Sequence, residues 1–348
     1  IISIRANGPV FVSIMNSDRL RALTLWAQTR EQDPQLQLQL ISGDASFRRY
    51  YRAAGKIWVD APPQTEKNRE FVRNAAALQQ ARIPAPEVYA FELEQGFLCV
   101  SDLGDVSLLS RLDADSVRHW YGAAIEQLLP AIATLSLAVE PFDEAFMARE
   151  NSIFPEWLLG HHLGLTLEAQ EQALLDETFA TLSRNNLAQP QVVMHRDFHS
   201  RNLMVLADER LAVIDFQDMV LGPLTYDLVS LLKDCYVRWP LSLVRELTAL
   251  GYRAYQQAGL LSGMSEAQFD RCLALTGMQR HLKAAGIFCR LHHRDGKSGY
   301  LKDIPRTLYY VFEVAQAEPS LHAFVGWLQR RVLRHFPYQP TSEASSCA

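Results

Sequence analysis

The sequence has no paired cysteines of the kind that build zinc modules or disulfide frameworks. Its five cysteines, Cys99, Cys235, Cys272, Cys289 and Cys347, are odd in number and scattered, with no C-x-x-C pair. A reducing cytoplasm is the expected setting. No apolar run is long enough to cross a bilayer; the segment 1–14 is too short and is broken by Arg5, Asn7, Gly8 and Pro9. That segment also lacks the basic start and small-residue cleavage site of a signal peptide. The charge is nearly balanced, net −5, so nothing pulls the whole chain toward nucleic acid or anionic membrane. No internal repeat and no long low-complexity segment appears.

What is present fits a soluble globular protein. The 348 residues, 48% hydrophobic and 21% charged, suffice for two lobes with their own cores. Met15-Asn16-Ser17-Asp18 reads as a natural start with a helix cap, so residues 1–14 are expected to be a leader or upstream segment. A helix is expected over Asp18 to Gln28, and Leu36 to Leu40 alternates like a half-buried strand. Beyond residue 116 most of the chain reads as helix, with breaks near Pro141, Gly164, Pro190, Pro240, Ser262 and Gly296. Residues 337–348 read as a flexible tail.

The densest chemical signal is His195-Arg196-Asp197-Phe198-His199-Ser200-Arg201-Asn202, followed by Ile214-Asp215-Phe216. Gln191 to Met194 reads as a buried strand leading into it. Leu203 to Leu206 and Leu211 to Ile214 read as a hairpin turning at Asp208-Glu209, with Asn202 at one end and Asp215 at the other. Phosphoryl transfer from a nucleotide needs these three groups. Asp197 can accept a proton from an attacking hydroxyl, while Asn202 and Asp215 can hold Mg2+ on the phosphates of ATP. Magnesium favours such hard oxygen donors, completed by water and phosphate.

This pattern resembles the kinase superfamily, and more closely its small-molecule branch of aminoglycoside and choline phosphotransferases. The resemblance implies an α+β, bilobal protein-kinase-like fold. A small β-rich nucleotide-binding lobe with its hinge would span 15–104, and a larger, mainly helical catalytic and acceptor lobe 105–336, with the active site in the cleft. It implies that His195 is structural, Asp197 the catalytic base, and Asn202 and Asp215 the metal ligands. Asp227, in Gly222-Pro223-Leu224-Thr225-Tyr226-Asp227-Leu228, would brace the catalytic loop. Gln217 stands where protein kinases have glycine, which favours the small-molecule branch.

The first lobe carries one departure. The turn Ser42-Gly43-Asp44-Ala45-Ser46 lies between two strands and can lay backbone N–H groups over phosphates. Kinases also place a lysine at the end of the third strand, paired with a helix glutamate. Here that strand is Lys56-Ile57-Trp58-Val59-Asp60, so Asp60 occupies the lysine position and Lys56 lies roughly 13 Å back. Counting back from Ile83-Pro84 puts Phe71 at the glutamate position. Losing both partners together points to another way of holding phosphate, with Arg48, Arg49 or Arg52 as the candidate charges. The family's hinge, which would bind adenine through backbone groups, falls on Ser101, Asp102 and Leu103.

Two segments are candidates for the acceptor. Glu156 and Trp157 lie near a helix bend, where an aromatic face suits a sugar ring, although Trp157 also reads as a core residue. Gln279 to Arg306 holds seven Lys/Arg against two acids. That is either a solvated basic face or a site for an anionic acceptor, with Arg280 and Arg290 the candidates alongside His199 and Arg201. Several stretches together resemble one narrower family, the bacterial anomeric N-acetylmuramate/N-acetylglucosamine kinases of cell-wall recycling. They are Ala45-Ser46-Phe47-Arg48-Arg49-Tyr50, Asp60-Ala61-Pro62-Pro63, Phe154-Pro155-Glu156-Trp157, His199-Ser200-Arg201-Asn202-Leu203-Met204, Ile214-Asp215-Phe216-Gln217-Asp218 and Gln279-Arg280-His281-Leu282-Lys283. The resemblance implies ATP-dependent phosphorylation of a sugar's anomeric hydroxyl, with the lactyl carboxylate of muramate as the anion the basic segment meets. The expected partners are ATP and a small sugar, with no nucleic acid and no membrane, and the chain is expected to act as a monomer. The rival readings are a kinase for an aminoglycoside or amino alcohol, and a nucleotide-binding pseudokinase.

Overall fold

The computed structural model describes residues 9–42 and 47–338. The described residues divide into two compact units. One runs to Gln80 and includes Pro84–Gly104, and the other comprises Ala81–Ile83 and the chain from Asp105 onward.

The first unit has helix α1 (Pro9–Glu31), strands β1 (Gln39–Ser42), β2 (Arg49–Ala53) and β3 (Lys56–Asp60), helix α2 (Asn68–Gln80), and strands β4 (Val88–Glu92) and β5 (Phe97–Ser101). The strands form one sheet in the order β1-β2-β3-β5-β4, antiparallel throughout. Period-two alternation puts Tyr51, Ala53, Trp58, Phe97 and Cys99 in one core cluster with Leu23 and Ala27 of α1. Trp26 of α1 meets Trp58 edge-on, ring centroids 5.4 Å apart. The β2–β3 turn uses Ala54 and Gly55, both with positive φ, as a tight hairpin on right-twisted strands requires.

Two expectations shift here. Helix α1 begins at Pro9 and so runs through the expected start at Met15. The leucine alternation from Leu36 is strand only from Gln39. Leu36 is bonded locally instead: its N–H donates to Asp33 O and its carbonyl accepts from Gln28 Nε2.

The second unit is mostly helical: α3 (Val117–Ala123), α4 (Leu129–Ala133), α5 (Glu144–Asn151), α6 (Ala169–Leu187), α7 (Tyr226–Leu232), α8 (Leu241–Gln257), α9 (Glu266–Asp295), α10 (Ile304–Ala317) and α11 (His322–Arg331). Two small ribbons interrupt the helices. Strand β6 (Gln191–Met194) pairs with β9 (Val220–Pro223), and β7 (Leu203–Val205) pairs with β8 (Leu211–Val213). The 30-residue α9 starts on a capping box, Ser265 with Gln268, and ends at Gly296 in the left-handed conformation. It is buried along nearly its whole middle, from Leu273 to Cys289, against α6, α10 and the π-helical segment Phe154–His162. No helix among the described residues is long and apolar enough to cross a membrane.

Gly286 permits that burial. A Cβ there would fall 2.5 Å from the Ile153 carbonyl oxygen, a backbone atom that cannot swing aside. Gly286→Ala is therefore expected to destabilise the protein by about 1–3 kcal/mol. Thermal melting checks this, and a variant melting within a degree of the parent would show that the two segments can separate freely.

Candidate active site

Strand β6 ends at Met194, and the chain turns through His195 to Asn202 into β7. Asp227, in the first turn of α7, holds the start of this loop. Its carboxylate accepts the His195 N–H at 2.6 Å and the Arg196 N–H at 2.9 Å. A second carboxylate, Asp234 just past the end of α7, holds the other end. It accepts the Ser200 N–H at 3.0 Å and the Ser200 hydroxyl at 2.5 Å. His195 is fully buried, and its Nε2 lies 3.0 Å from the Ile214 carbonyl oxygen. The Ile214 N–H donates to Asn202 O at 3.0 Å, so the loop is tied to the residue just before Asp215.

These ties bring the three motif residues together. The Asn202 amide donates to Asp197 O at 3.0 Å and lies 3.5 Å from Asp215 Oδ2. Gln217 donates to Asp215 Oδ1 at 2.7 Å, a contact that a glycine there could not make. Arg196 and Asp215 both have positive φ, near 75° and 64°, backbone strain of the kind that collects where side chains must be aimed.

Under the loop lies a buried ionic cluster. Glu150 of α5 accepts from Arg196 Nη2 at 2.5 Å and from Lys283 Nζ at 3.3 Å. Lys283 also donates to the Tyr226 hydroxyl at 3.0 Å. Burial pushes the Glu150 carboxyl up, but Lys283 and Arg196 outweigh it and hold it below its ordinary value. Asp197 obeys the same balance. Burial raises its carboxyl, yet Lys283, Arg196, His199 and Arg280 together hold it below the usual carboxylate range. Burial lowers His199, whose ring meets Tyr236 edge-on, and the Arg201 guanidinium lies 3.7 Å from the Tyr236 ring centroid.

The basic segment divides. Arg280 and Lys283 are 5% and 6% exposed, so this part is no solvated face. His281 is also buried. Its Nε2 lies 2.7 Å from Lys233 O, and burial together with Arg280 pushes its pKa down to about 3. Arg290, half-buried farther along α9, is lowered by burial and by Arg294 and feels the fields of Glu156 and Glu150. Glu156 is exposed. Trp157 stacks on His161 at 4.5 Å and packs against the helical core, the core reading weighed above.

In the first unit, residues Gly43, Asp44, Ala45 and Ser46 of the expected phosphate loop lie outside the described residues; Ser42 closes β1. The candidate arginines are engaged. Arg48 is buried, ion-paired with Glu66 at 3.1 Å, and lies over the Phe71 ring at 5.0 Å. A buried arginine–glutamate pair, with Glu66 rather than Glu70 as the acid, thus packs on Phe71 at the expected glutamate position, while Asp60 at the lysine position faces Arg49 across the sheet. Arg49 approaches Asp60 at 4.0 Å, and Arg19 also pairs with Asp60. Arg52 pairs with Asp102 through two bonds, at 2.6 and 3.0 Å. The Ser101 hydroxyl accepts the Glu87 N–H, and Leu103 follows β5 as partly exposed chain.

The matched family decides the class. Residues 37–269 match the phosphotransferase enzyme family known as APH. The chain belongs to that family. It is 38% identical over 318 residues to an N-acetylmuramate/N-acetylglucosamine kinase of Pseudomonas putida, covering 87% of this chain and 94% of that one. It is 34% identical to a protein of the same name from Neisseria meningitidis, covering 85% and 91%. Among solved structures, an ethanolamine kinase of Plasmodium vivax superposes with TM-score 0.60 at 12% identity, covering 83% of this chain and 84% of that one. Aminoglycoside phosphotransferase APH(2'')-Ib with bound ADP gives TM-score 0.58 at 10% identity, covering 84% and 98%. The fold is protein-kinase-like, and the phosphotransferase is an enzyme that uses an alcohol group as acceptor.

Sequence reasoning missed Glu150 and Asp234, and met Lys283 only as one member of the basic segment. Glu150 is a single acid in an ordinary helical run and Asp234 a single acid just past a helix end, with no motif around either. Lys283 did carry a signal: small residues Gly277, Ala284, Ala285 and Gly286 surround it, and they mark close packing.

Proposed function

We propose that this phosphotransferase moves the γ-phosphoryl group of ATP to the anomeric hydroxyl of N-acetylmuramate, and of N-acetylglucosamine, giving the 1-phosphate used in peptidoglycan recycling. Relatives bearing that name over more than four-fifths of the chain support it. The observation that carries it furthest is the environment of Asp197. Four surrounding cationic or polarisable groups make this carboxylate a weak base. A weak base serves best with a hydroxyl that is already acidic. An anomeric hydroxyl is more acidic than an ordinary alcohol, because the ring oxygen withdraws charge from its carbon.

In this reading Asp197 accepts a hydrogen bond from the anomeric O–H, aims an oxygen lone pair at phosphorus, and takes the proton late. The bond from the anomeric oxygen to phosphorus forms as the β,γ-bridging bond breaks, and ADP leaves with the electron pair. The Asn202 amide nitrogen lies 3.5 Å from Asp215 Oδ2, so the two side chains are neighbours, and the amide oxygen with the carboxylate would supply the hard donors that Mg2+ favours. When bound, the metal neutralises phosphate charge. Asp227 and His195 hold the loop in register. The Ser42–Ser46 turn and Arg49 would cover the phosphates, and Ser101, Asp102 and Leu103 would meet the adenine. Among the described residues the cysteines are free, in accord with a reducing cytoplasm. A polycationic aminoglycoside is disfavoured because Lys283, Arg196 and Arg280 already crowd the base.

The test is phosphorus NMR of the product from ATP and N-acetylmuramate. A phosphate resonance coupled to the C1 proton is expected. A phosphate coupled to C6 protons, or no ADP release with either sugar, would defeat the proposal.

A further inference from the structure

Arg280 is a buried cation without an acid. It lies in the middle of α9 with 5% of its surface exposed. The other buried cations of this cluster are matched, since Arg196 and Lys283 both reach Glu150. No carboxylate lies within ion-pair distance of Arg280 among the described residues. Its hydrogen bonding amounts to Nη1 on the Cys235 sulfur at 3.8 Å, and its Nε is buried with no partner. Burial raises the Cys235 thiol, so that sulfur is a neutral and weak acceptor. Removing a guanidinium from water without pairing it is costly, and folded proteins rarely tolerate that without a use for the group. Burial works against its charge, but the surrounding groups, Cys235 and Tyr226 first and then Asp197 and Asp234, outweigh it and keep Arg280 charged. Its planar fork of donors is therefore nearly unspent and lies in the electrostatic range of the base.

We propose that Arg280 receives a carboxylate of the acceptor and sets the preference for an acidic amino sugar over a neutral one. This rests on the sugar-kinase reading above and adds to it a single specificity-determining contact. A carboxylate fits for a geometric reason: two parallel N–H groups of a guanidinium match its two oxygens, whereas one sugar hydroxyl uses only one of them. The neighbours cannot substitute. Lys283 is committed to Glu150 and Tyr226, and His281 to Lys233 O. With the anomeric hydroxyl on Asp197, the substituents of the same ring enter the neighbourhood in which Asp197 and Arg280 feel each other's charge. The competing assignment, a contact to the phosphoryl group in flight, predicts a different pattern of losses.

The experiment compares kcat/KM for N-acetylmuramate, its methyl ester and N-acetylglucosamine in the parent, Arg280→Gln and Arg280→Lys, with thermal melting to verify folding. Arg280→Gln should lose roughly 10²-fold on N-acetylmuramate and only a few-fold on N-acetylglucosamine. Arg280→Lys should fall between on the acid. Esterification should cost the parent about what Arg280→Gln costs the acid, and should cost Arg280→Gln almost nothing. Equal losses on both sugars would overturn the proposal and point to phosphoryl or base stabilisation. If Arg280→Gln does not fold, the parent alone decides, because equal turnover of acid and ester overturns it. A parent inactive on both sugars is a different result, which defeats the sugar-kinase reading and this inference together.

Discussion

Asp197→Asn is expected to lower kcat by roughly 10²- to 10⁴-fold while leaving the affinity for ATP within about twofold. The amide keeps the size of the carboxylate and can still meet a hydroxyl. It cannot take a proton, and it presents an N–H where a lone pair is wanted. The side chain also contributes to the field that keeps Arg280 and Lys283 charged, so neutralising it weakens acceptor positioning as well. Single-turnover phosphate transfer, measured beside ATP binding, separates the two effects. An Asp197→Asn protein that still makes sugar phosphate at the parent rate would remove Asp197 from its role. The pH dependence carries a matching sign. Since Asp197 is held below the ordinary carboxylate range, its deprotonated form persists into acid, and any fall in kcat above about pH 5 must come from another group.

Glu150→Gln is expected to be the most destabilising of the conservative substitutions. It leaves Lys283 buried without an acid and Arg196 with only the longer Asp218 contact at 3.9 Å, and breaking such a buried pair from one side costs about 3–5 kcal/mol. For a helical unit of this size that is a fall in Tm of about 6–20 °C. Activity should drop further than stability explains, because Arg196 precedes Asp197 and its strained backbone is held by this contact. The double variant Glu150→Gln/Lys283→Met removes one orphaned charge and should recover part of the lost Tm. A Glu150→Gln protein melting within about 2 °C of the parent would show that water reaches the cluster.

How much of this was legible in the sequence varies with the kind of signal. The loop from His195 to Asn202 and the returning strand before Asp215 could be read because phosphoryl transfer demands particular groups at short, fixed spacing. Strand β6 and the 203–214 hairpin were legible for the same local reason. The role of α9 was not. A helix buried on nearly every side loses the polar face that gives a periodic pattern, so Arg280 and Lys283 read as part of a basic run shared with exposed Arg294. Arg48 could be named as a candidate charge, but its partner Glu66 lies before α2 rather than on the helix turn where a glutamate was sought. Long-range pairs of this sort have no sequence spacing to betray them.

The two carboxylates at the ends of α7 have a mechanical consequence. Asp227 grips the loop at residues 195 and 196, and Asp234 grips it at 200, while every residue of the helix between them is buried. The loop is thus a bar fastened at both ends to one rigid strut. If α7 shifts as the protein breathes, Asp197 and Asn202 travel with it as one body, and the distance between them is insulated from motion elsewhere. Substitutions on other helices are then free to reshape the surroundings without detuning the spacing between Asp197 and Asn202.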